Sequence, residues 1–249
     1  MNNPKIPDRL QADKKFTLIL MILNEAEALR VILPRILAVW KEAILVVDGG
    51  SSDASVSICR EFGVQVVVQT GKGIPNAEKE ACLYATSDYY IIFTPDGNAI
   101  PEILPQLKQK TLEGYDMVVV SRYLDGASSD DDDFLTGLGN WLFTTLVNIL
   151  FQSSYTDTLV GFRSLSHSAI LRMNLLFLEE ENWLRRVNYF VNSWELGSCN
   201  RAARIKLKCA EIPGSEPKRI GGVRKLSILR NGLGGLLQII MDFFWFEKK

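Results

Sequence analysis

Tyr90-Ile91-Ile92-Phe93-Thr94-Pro95-Asp96-Gly97-Asn98 runs from a short, wholly apolar stretch into a carboxylate and, two residues on, an amide oxygen. An unbroken apolar run of this length reads as a strand buried on both faces, as in a parallel sheet covered by helices. Residues i and i+2 share a face in extended chain, and Gly97 lets the backbone bend and a ligand come close. Asp96 and Asn98 then aim two hard oxygen ligands at one spot. Ligands of this kind suit Mg²⁺ or Mn²⁺ carrying a diphosphate. Taken alone, an Asp-Gly step after a strand is equally an ordinary turn. The rest of the chain decides between the two.

Upstream, apolar runs alternate with helical patterns. Phe16 to Leu23 is a second continuous apolar strand. Asn24 is placed to cap a helix whose apolar residues Leu29, Ile32, Leu33 and Ile36 recur at helical spacing, with Pro34 expected to kink or split it. Ile44 to Val47 is a strand ending in Asp48-Gly49-Gly50-Ser51-Ser52-Asp53. A helix from about Ala54 to Phe62 stops at Gly63, and Val64 to Val68 is the next strand. Pro75 to Thr86 reads as helix, Tyr89 to Phe93 and Met117 to Ser121 as strands. This βαβ rhythm predicts an α/β fold with an open, mostly parallel sheet flanked by helices. Ligands in such sheets bind beyond the carboxyl ends of the strands, and Asn24, Asp48, Gly71 and Asp96 all fall just past strand ends.

Composition narrows the function. The chain has 249 residues, 47% hydrophobic and 23% charged, with a net charge of −1. No field of one sign recruits nucleic acid, and no basic block marks a nucleic-acid footprint. Cys59, Cys82, Cys199 and Cys209 lack CxxC pairing, which predicts neither zinc nor disulfides and a reducing, cytoplasmic setting. The polar start, Met1 to Lys15, has no apolar signal core. Gly71-Lys72-Gly73 is not a P-loop and no GxGxxG follows the first strand, so P-loop and nicotinamide chemistry are not expected. Lys72 in that loop reads as a cation near phosphates, and Asp48 as a hydrogen-bond acceptor for a nucleobase or ribose. The four-carboxylate run Asp130 to Asp133 reads as a solvated, mobile loop.

The ordered series Leu23-Asn24-Glu25, Val47 to Asp53, Gly71-Lys72-Gly73, Asp96-Gly97-Asn98, Ser121-Arg122-Tyr123, Asp157 to Arg163 and Arg219 to Leu226 resembles the GT-A family 2 glycosyltransferases. Within them it is most similar to the polyprenyl-phosphate sugar transferases of the dolichyl-phosphate mannosyltransferase kind. The resemblance covers roughly Thr17 to Leu226. It implies a Rossmann-like GT-A domain over residues 1–225, followed by a C-terminal amphipathic helix over 226–249. It implies metal-dependent, inverting transfer of a sugar from a UDP- or GDP-sugar to a polyprenyl phosphate. Asn24, Glu25 and Asp48 would face the nucleoside. Asp96 and Asn98 would hold Mg²⁺ or Mn²⁺, which relieves the charge that builds on the departing diphosphate. Lys72, Arg122, Arg219 and Lys225 would meet phosphates. The alternatives are transfer to a glycan or small-molecule hydroxyl, or a nucleotide-sugar-binding protein with weak turnover.

Two departures from the family pattern matter. The second aspartate of Asp-x-Asp is Asn98, and a polar ligand often found two residues later is Ile100. Asp157 is the first choice of base for a hydroxyl acceptor, with Glu195 the other candidate. An anionic lipid phosphate needs no base, and Asp157 would then orient the acceptor or Arg163. His167 lies in a polar, serine-rich segment with no triad around it. Phe134 to Phe151 is apolar apart from a stripe of Asn140, Thr144 and Asn148, and Leu226 to Phe246 is similar. Both are candidates for lying in the plane of a membrane, which places the protein at the inner face of the cell membrane, or for an interface in a homo-oligomer.

Overall fold

The computed structural model describes residues 15–221 and 228–246. Among them, seven strands form one sheet in the order β3-β2-β1-β4-β6-β5-β7. These are β1 (Phe16–Ile22), β2 (Ala43–Asp48), β3 (Gln65–Val68), β4 (Tyr89–Phe93), β5 (Met117–Ser121), β6 (Arg163–Ser166) and β7 (Cys209–Pro213). β1 pairs in parallel with β2 and β4, β2 with β3, and β5 with β7. Only β6 is antiparallel, to β4 and β5. The predicted α/β class and mostly parallel sheet are what the chain adopts.

Strand periodicity divides the core. Leu18, Leu20 and Ile22 turn to one side of the sheet, where α1 (Ala26–Val39), α2 (Ser55–Glu61) and α4 (Leu104–Leu112) pack. Ile19 and Met21 turn to the other, against α3 (Ile74–Tyr84), α6 (His167–Arg172) and α8 (Trp194–Arg204). The same side carries α5 (Phe134–Phe151) and α9 (Ile228–Trp245), which touch one another and α8. The short α7 (Trp183–Val187) precedes α8.

Two local expectations fail, each for a physical reason. α1 runs unbroken through Pro34 for 14 residues. Pro34 and Arg30 lie on the exposed face, so the carbonyl that loses its partner meets water. Meanwhile Leu29, Ile32, Leu33 and Ile36 are all fully buried, each stabilising the fold by about 2 kcal/mol. Asn24 does not cap α1: it adopts φ 53° and accepts the Ser52 N–H instead. The first turn is satisfied from the β2–α2 loop, Ala26 N–H reaching Asp53 and Glu25 N–H reaching Ser55 Oγ.

Candidate active site

Strand register sets the rim. Ile22 stands opposite Asp48, and Leu20 opposite Phe93, so the segments after β1, β2 and β4 leave the sheet side by side. The first two are sewn together: Gly49 N–H donates to Ile22 O at 2.8 Å, Asn24 N–H to Ser51 Oγ at 2.9 Å, and Ser52 N–H to Asn24 Oδ1 at 2.8 Å. Asp48 is buried, and its carboxylate accepts the N–H groups of Gly50 and Ser51, each at 3.1 Å. It therefore shapes the turn at this end of the rim. Lys72 is exposed on the loop between β3 and α3.

Beyond β4, Asp96 is 3% exposed. It accepts Asn98 N–H at 3.0 Å and meets Arg219 Nη2 at 2.8 Å. Arg219 also lies 3.5 Å from Glu25. Burial raises the Asp96 carboxyl above the ordinary carboxylate range, against the opposing pull of Arg219. Gly97 sits at φ 94°, and a Cβ there would fall 2.6 Å from Ile220 Cγ1. Only glycine lets the 218–221 segment close on Asp96, where Ile220 N–H donates to Asp96 O at 2.9 Å. Lys225 lies outside the described residues.

Among the described residues, two atoms here are buried without a partner: Asn98 Oδ1, an acceptor, and Arg219 Nε, a donor. A buried polar group left unmade costs about 1–3 kcal/mol, so such atoms mark a place completed by something else. An acceptor beside a carboxylate matches a cation; a guanidinium donor next to it matches a phosphate oxygen. Asp96 and Asn98 Oδ1 thus fit a divalent ion that takes its remaining ligands from a diphosphate and water. The described residues contain no cluster of three His, Cys, Asp or Glu side chains that would hold a metal unaided.

Past β5, Arg122 is held by Asp157 through Nε at 2.7 Å and Nη2 at 3.1 Å, by Glu216 at 3.1 Å, and lies 3.6 Å from Asp132. Asp157 is 0% exposed, and both its oxygens are committed to Arg122 and to backbone N–H groups. The structure therefore brings Asp157 and Arg122 together as a buried fork. Glu195, the other carboxylate, is half-buried and accepts from Ser193 Oγ at 2.6 Å. A Cβ at Gly161 would lie 3.9 Å from Glu195 Oε1 and 4.0 Å from Thr94 Oγ1, which puts Glu195 near the end of β4. His167 contacts Tyr90 Oη at 3.3 Å near the start of β4, at the far end of the strand from the rim.

The acidic run is not a free loop. Asp131 accepts the Asn98 Nδ2 hydrogen at 2.9 Å, Asp132 bonds Tyr123 Oη, and Asp133 caps α5 by accepting Thr136 N–H at 2.8 Å. Like charges predicted solvation, but each of these three carboxylates finds its own donor.

Glu78, which no sequence pattern singles out, is fully buried with Oε2 unpartnered. Burial, helped by the charge of Glu195 and opposed by Arg163, pushes its carboxyl well above the ordinary range. A raised acid supports the fold while protonated, so that stability is present at low pH and drains as pH rises through the folded value. The wild-type thermal midpoint is therefore expected to fall between mildly acidic and mildly alkaline pH. In Glu78→Gln, followed by the same calorimetric scans, that fall should be smaller.

The profile of glycosyl transferase family 2 matches residues 17–173. Glycosyltransferase AglJ of Haloferax volcanii is 29% identical over 136 residues, covering 53% of this chain and 44% of that protein. The dolichyl-phosphate hexose transferase of the same organism is 29% identical over 144 residues, covering 57% of this chain and 61% of that one. The chain spans about half the length of the curated relatives it matches. Among solved structures, glucosyl-3-phosphoglycerate synthase from Mycobacterium tuberculosis, in complex with Mn²⁺, UDP and glucosyl-3-phosphoglycerate, superposes with a TM-score of 0.61. It is 17% identical and covers 92% of this chain and 78% of its own. That likeness shows the GT-A-like fold.

Proposed function

This chain belongs to glycosyl transferase family 2, and from that premise we propose that it moves a sugar from a UDP-sugar to a polyprenyl phosphate with a divalent metal, Mg²⁺ or Mn²⁺. The observation that carries the donor half is the pair of unpartnered atoms beside Asp96: Asn98 Oδ1 for a cation, Arg219 Nε for a phosphate. The likeness to a synthase crystallised with Mn²⁺ and UDP supports the same reading.

The chain's own residues have separable tasks. The interlocked loops bearing Asn24, Glu25 and Asp48 form a rigid cradle for the nucleoside. Asp96 and Asn98 hold the ion against the diphosphate. The chemistry such an ion would supply there is Lewis-acid stabilisation of the departing diphosphate. Arg219 would turn from Asp96 to a phosphate oxygen, and Lys72, exposed on the loop between β3 and α3, would add positive charge. Arg122, held by Asp157 as its positioning residue, would meet the acceptor phosphate. With both oxygens committed and no exposure, Asp157 is not available to take a proton from an acceptor. An anionic acceptor requires no base, which agrees with a lipid phosphate.

The outer helices support a lipid acceptor. In α5 the polar stripe turns inward: Asn140 and Thr144 are buried, Thr144 bonds Thr158, and Asn148 bonds Tyr155. In α9 Gln238 and Asp242 are likewise buried. The apolar faces look outward, with Phe134 87% exposed and Trp141, Leu142, Ile149, Leu233 and Phe244 all exposed. α5 is long and apolar enough to cross a bilayer by length and composition, but its polar stripe is bonded to the domain along its side. It therefore lies flat, as an interfacial helix does. These outward apolar faces support a peripheral position at the inner face of the cell membrane. Replacing Trp141 and Phe244 by Glu is expected to reduce vesicle co-sedimentation by at least about tenfold, since burying each ring contributes about 1.5–3 kcal/mol. Release of free sugar from the donor in detergent should be unchanged.

A hydroxyl acceptor is the second reading, favoured by Glu195 near the end of β4 as a half-buried carboxylate. Labelled UDP-sugars incubated with polyprenyl phosphate vesicles and Mn²⁺ separate the two. Metal-dependent label in the lipid fraction is the expected result. Label only in water-soluble product supports the hydroxyl acceptor, and donor binding without turnover leaves a nucleotide-sugar-binding protein.

A further inference from the structure

We propose that Asp131, from the acidic run before α5, is a positioning residue for the cation site: its carboxylate takes the amide hydrogen of Asn98 and so leaves Asn98 Oδ1 as the atom presented to the metal. The inference rests on the donor-site reading above.

An asparagine is an uncertain substitute for the aspartate of an Asp-x-Asp pair, because its amide offers an oxygen on one side and an NH₂ on the other. A cation accepts only the oxygen, and an amide free to rotate spends part of its time with the NH₂ turned to the ion. Here the choice is made. Asn98 Nδ2 donates to Asp131 Oδ2 at 2.9 Å. A carboxylate has no hydrogen to give, so only the NH₂ can face it. Asn98 Oδ1 is left buried and without a partner, while the Asn98 N–H is tied to Asp96 at 3.0 Å. Backbone and side chain are thus fixed from opposite directions. A metal-ligating group held by an outer carboxylate is a recurrent arrangement, and loss of such a partner lowers affinity by about 10–100-fold.

The loop that carries Asp131 is itself held in place. Asp130 N–H donates to Glu216 O at 2.8 Å, Ser129 pairs with Glu216, and Asp132 N–H donates to Ser129 Oγ at 3.1 Å. The carboxylate missing from position 98 is replaced by one 33 residues along the chain, a single amide away from the ligand oxygen.

The test is a double-mutant cycle read as Mn²⁺ affinity in the presence of UDP, by electron paramagnetic resonance titration. Asp131→Ala, which leaves no acceptor for the Asn98 amide hydrogen, is expected in the wild-type background to weaken Mn²⁺ binding by about tenfold. In the Asn98→Ala background it should cost nothing further, because the residue it positions is gone. Equal losses in both backgrounds would mean that Asp131 ligates directly or acts by charge alone, and would overturn the proposal; so would unchanged affinity in Asp131→Ala. Thermal melts accompany each variant, and Asp131→Leu repeats the cycle if Asp131→Ala melts below the assay temperature. Failure of the wild type to bind Mn²⁺ with UDP would instead overturn the donor-site reading itself, a result distinct from either of the others.

Discussion

Asp96→Ala is expected to lower sugar transfer by about 10²–10³-fold, the scale of removing one preorganised electrostatic group from a transition state, with the thermal midpoint unchanged or raised. The second half follows from the carboxylate's own situation. Its burial already disfavours the charged form. Arg219 keeps Glu25 as a neighbour at 3.5 Å. The loss should appear in kcat for the lipid product and in Mn²⁺ affinity together. The pH dependence has a definite sign. Metal binding needs the ionised carboxylate, so a carboxyl held up by burial loses Mn²⁺ on acidification at a higher pH than an ordinary aspartate. Titrations of wild-type protein at several pH values check this directly.

Asp242→Ala carries the largest expected cost in stability, about 3–5 kcal/mol. Asp242 and Arg201 are fully buried and Arg185 nearly so. One carboxylate oxygen of Asp242 accepts from Arg185 Nη2 at 2.6 Å and from Arg201 Nε and Nη2 at 2.9 and 2.8 Å, and the other from Asn200 Nδ2 at 3.0 Å. Truncation leaves two buried guanidiniums with Glu181 as their shared carboxylate. The shift should be read as a lower denaturant midpoint. Vesicle binding is expected to weaken with it, because the same helix presents Leu233, Leu236, Ile240 and Phe244 outward.

These consequences were legible in the sequence to different degrees. The five strands from Phe16 to Ser121 announced themselves as apolar runs: β1, β4 and β5 are buried throughout, while β3 at the sheet edge is half-exposed but rich in valine. β6 did not: Arg163-Ser-Leu-Ser is polar, yet it sits between β4 and β5 with Arg163 and Ser164 fully buried. Its polar atoms are satisfied by partners distant in sequence, such as Ser198 Oγ for Arg163 and Thr111 Oγ1 for Ser164. No local pattern encodes that. The rim positions of Asn24, Asp48 and Asp96 followed from strand ends alone. What each carboxylate does there was not readable, since Asp48 holds a turn and Asp157 a guanidinium. Asp131 and Glu216 were missed for the same reason: their meaning lies in Asn98 and Arg122, tens of residues away. The stripe Asn140, Thr144, Asn148 was visible as a period, but which way it faced required the partners Thr158 and Tyr155.

The most direct test of the account is a crystal of the protein grown with UDP and Mn²⁺, with the metal located by its anomalous scattering. The expected result is a single Mn²⁺ peak bonded to the Asp96 carboxylate, to Asn98 Oδ1 and to oxygens of both phosphates, with Arg219 swung away from Asp96. A peak elsewhere on the molecule, or UDP bound with its phosphates away from Asp96 and with equal affinity in EDTA, would contradict it.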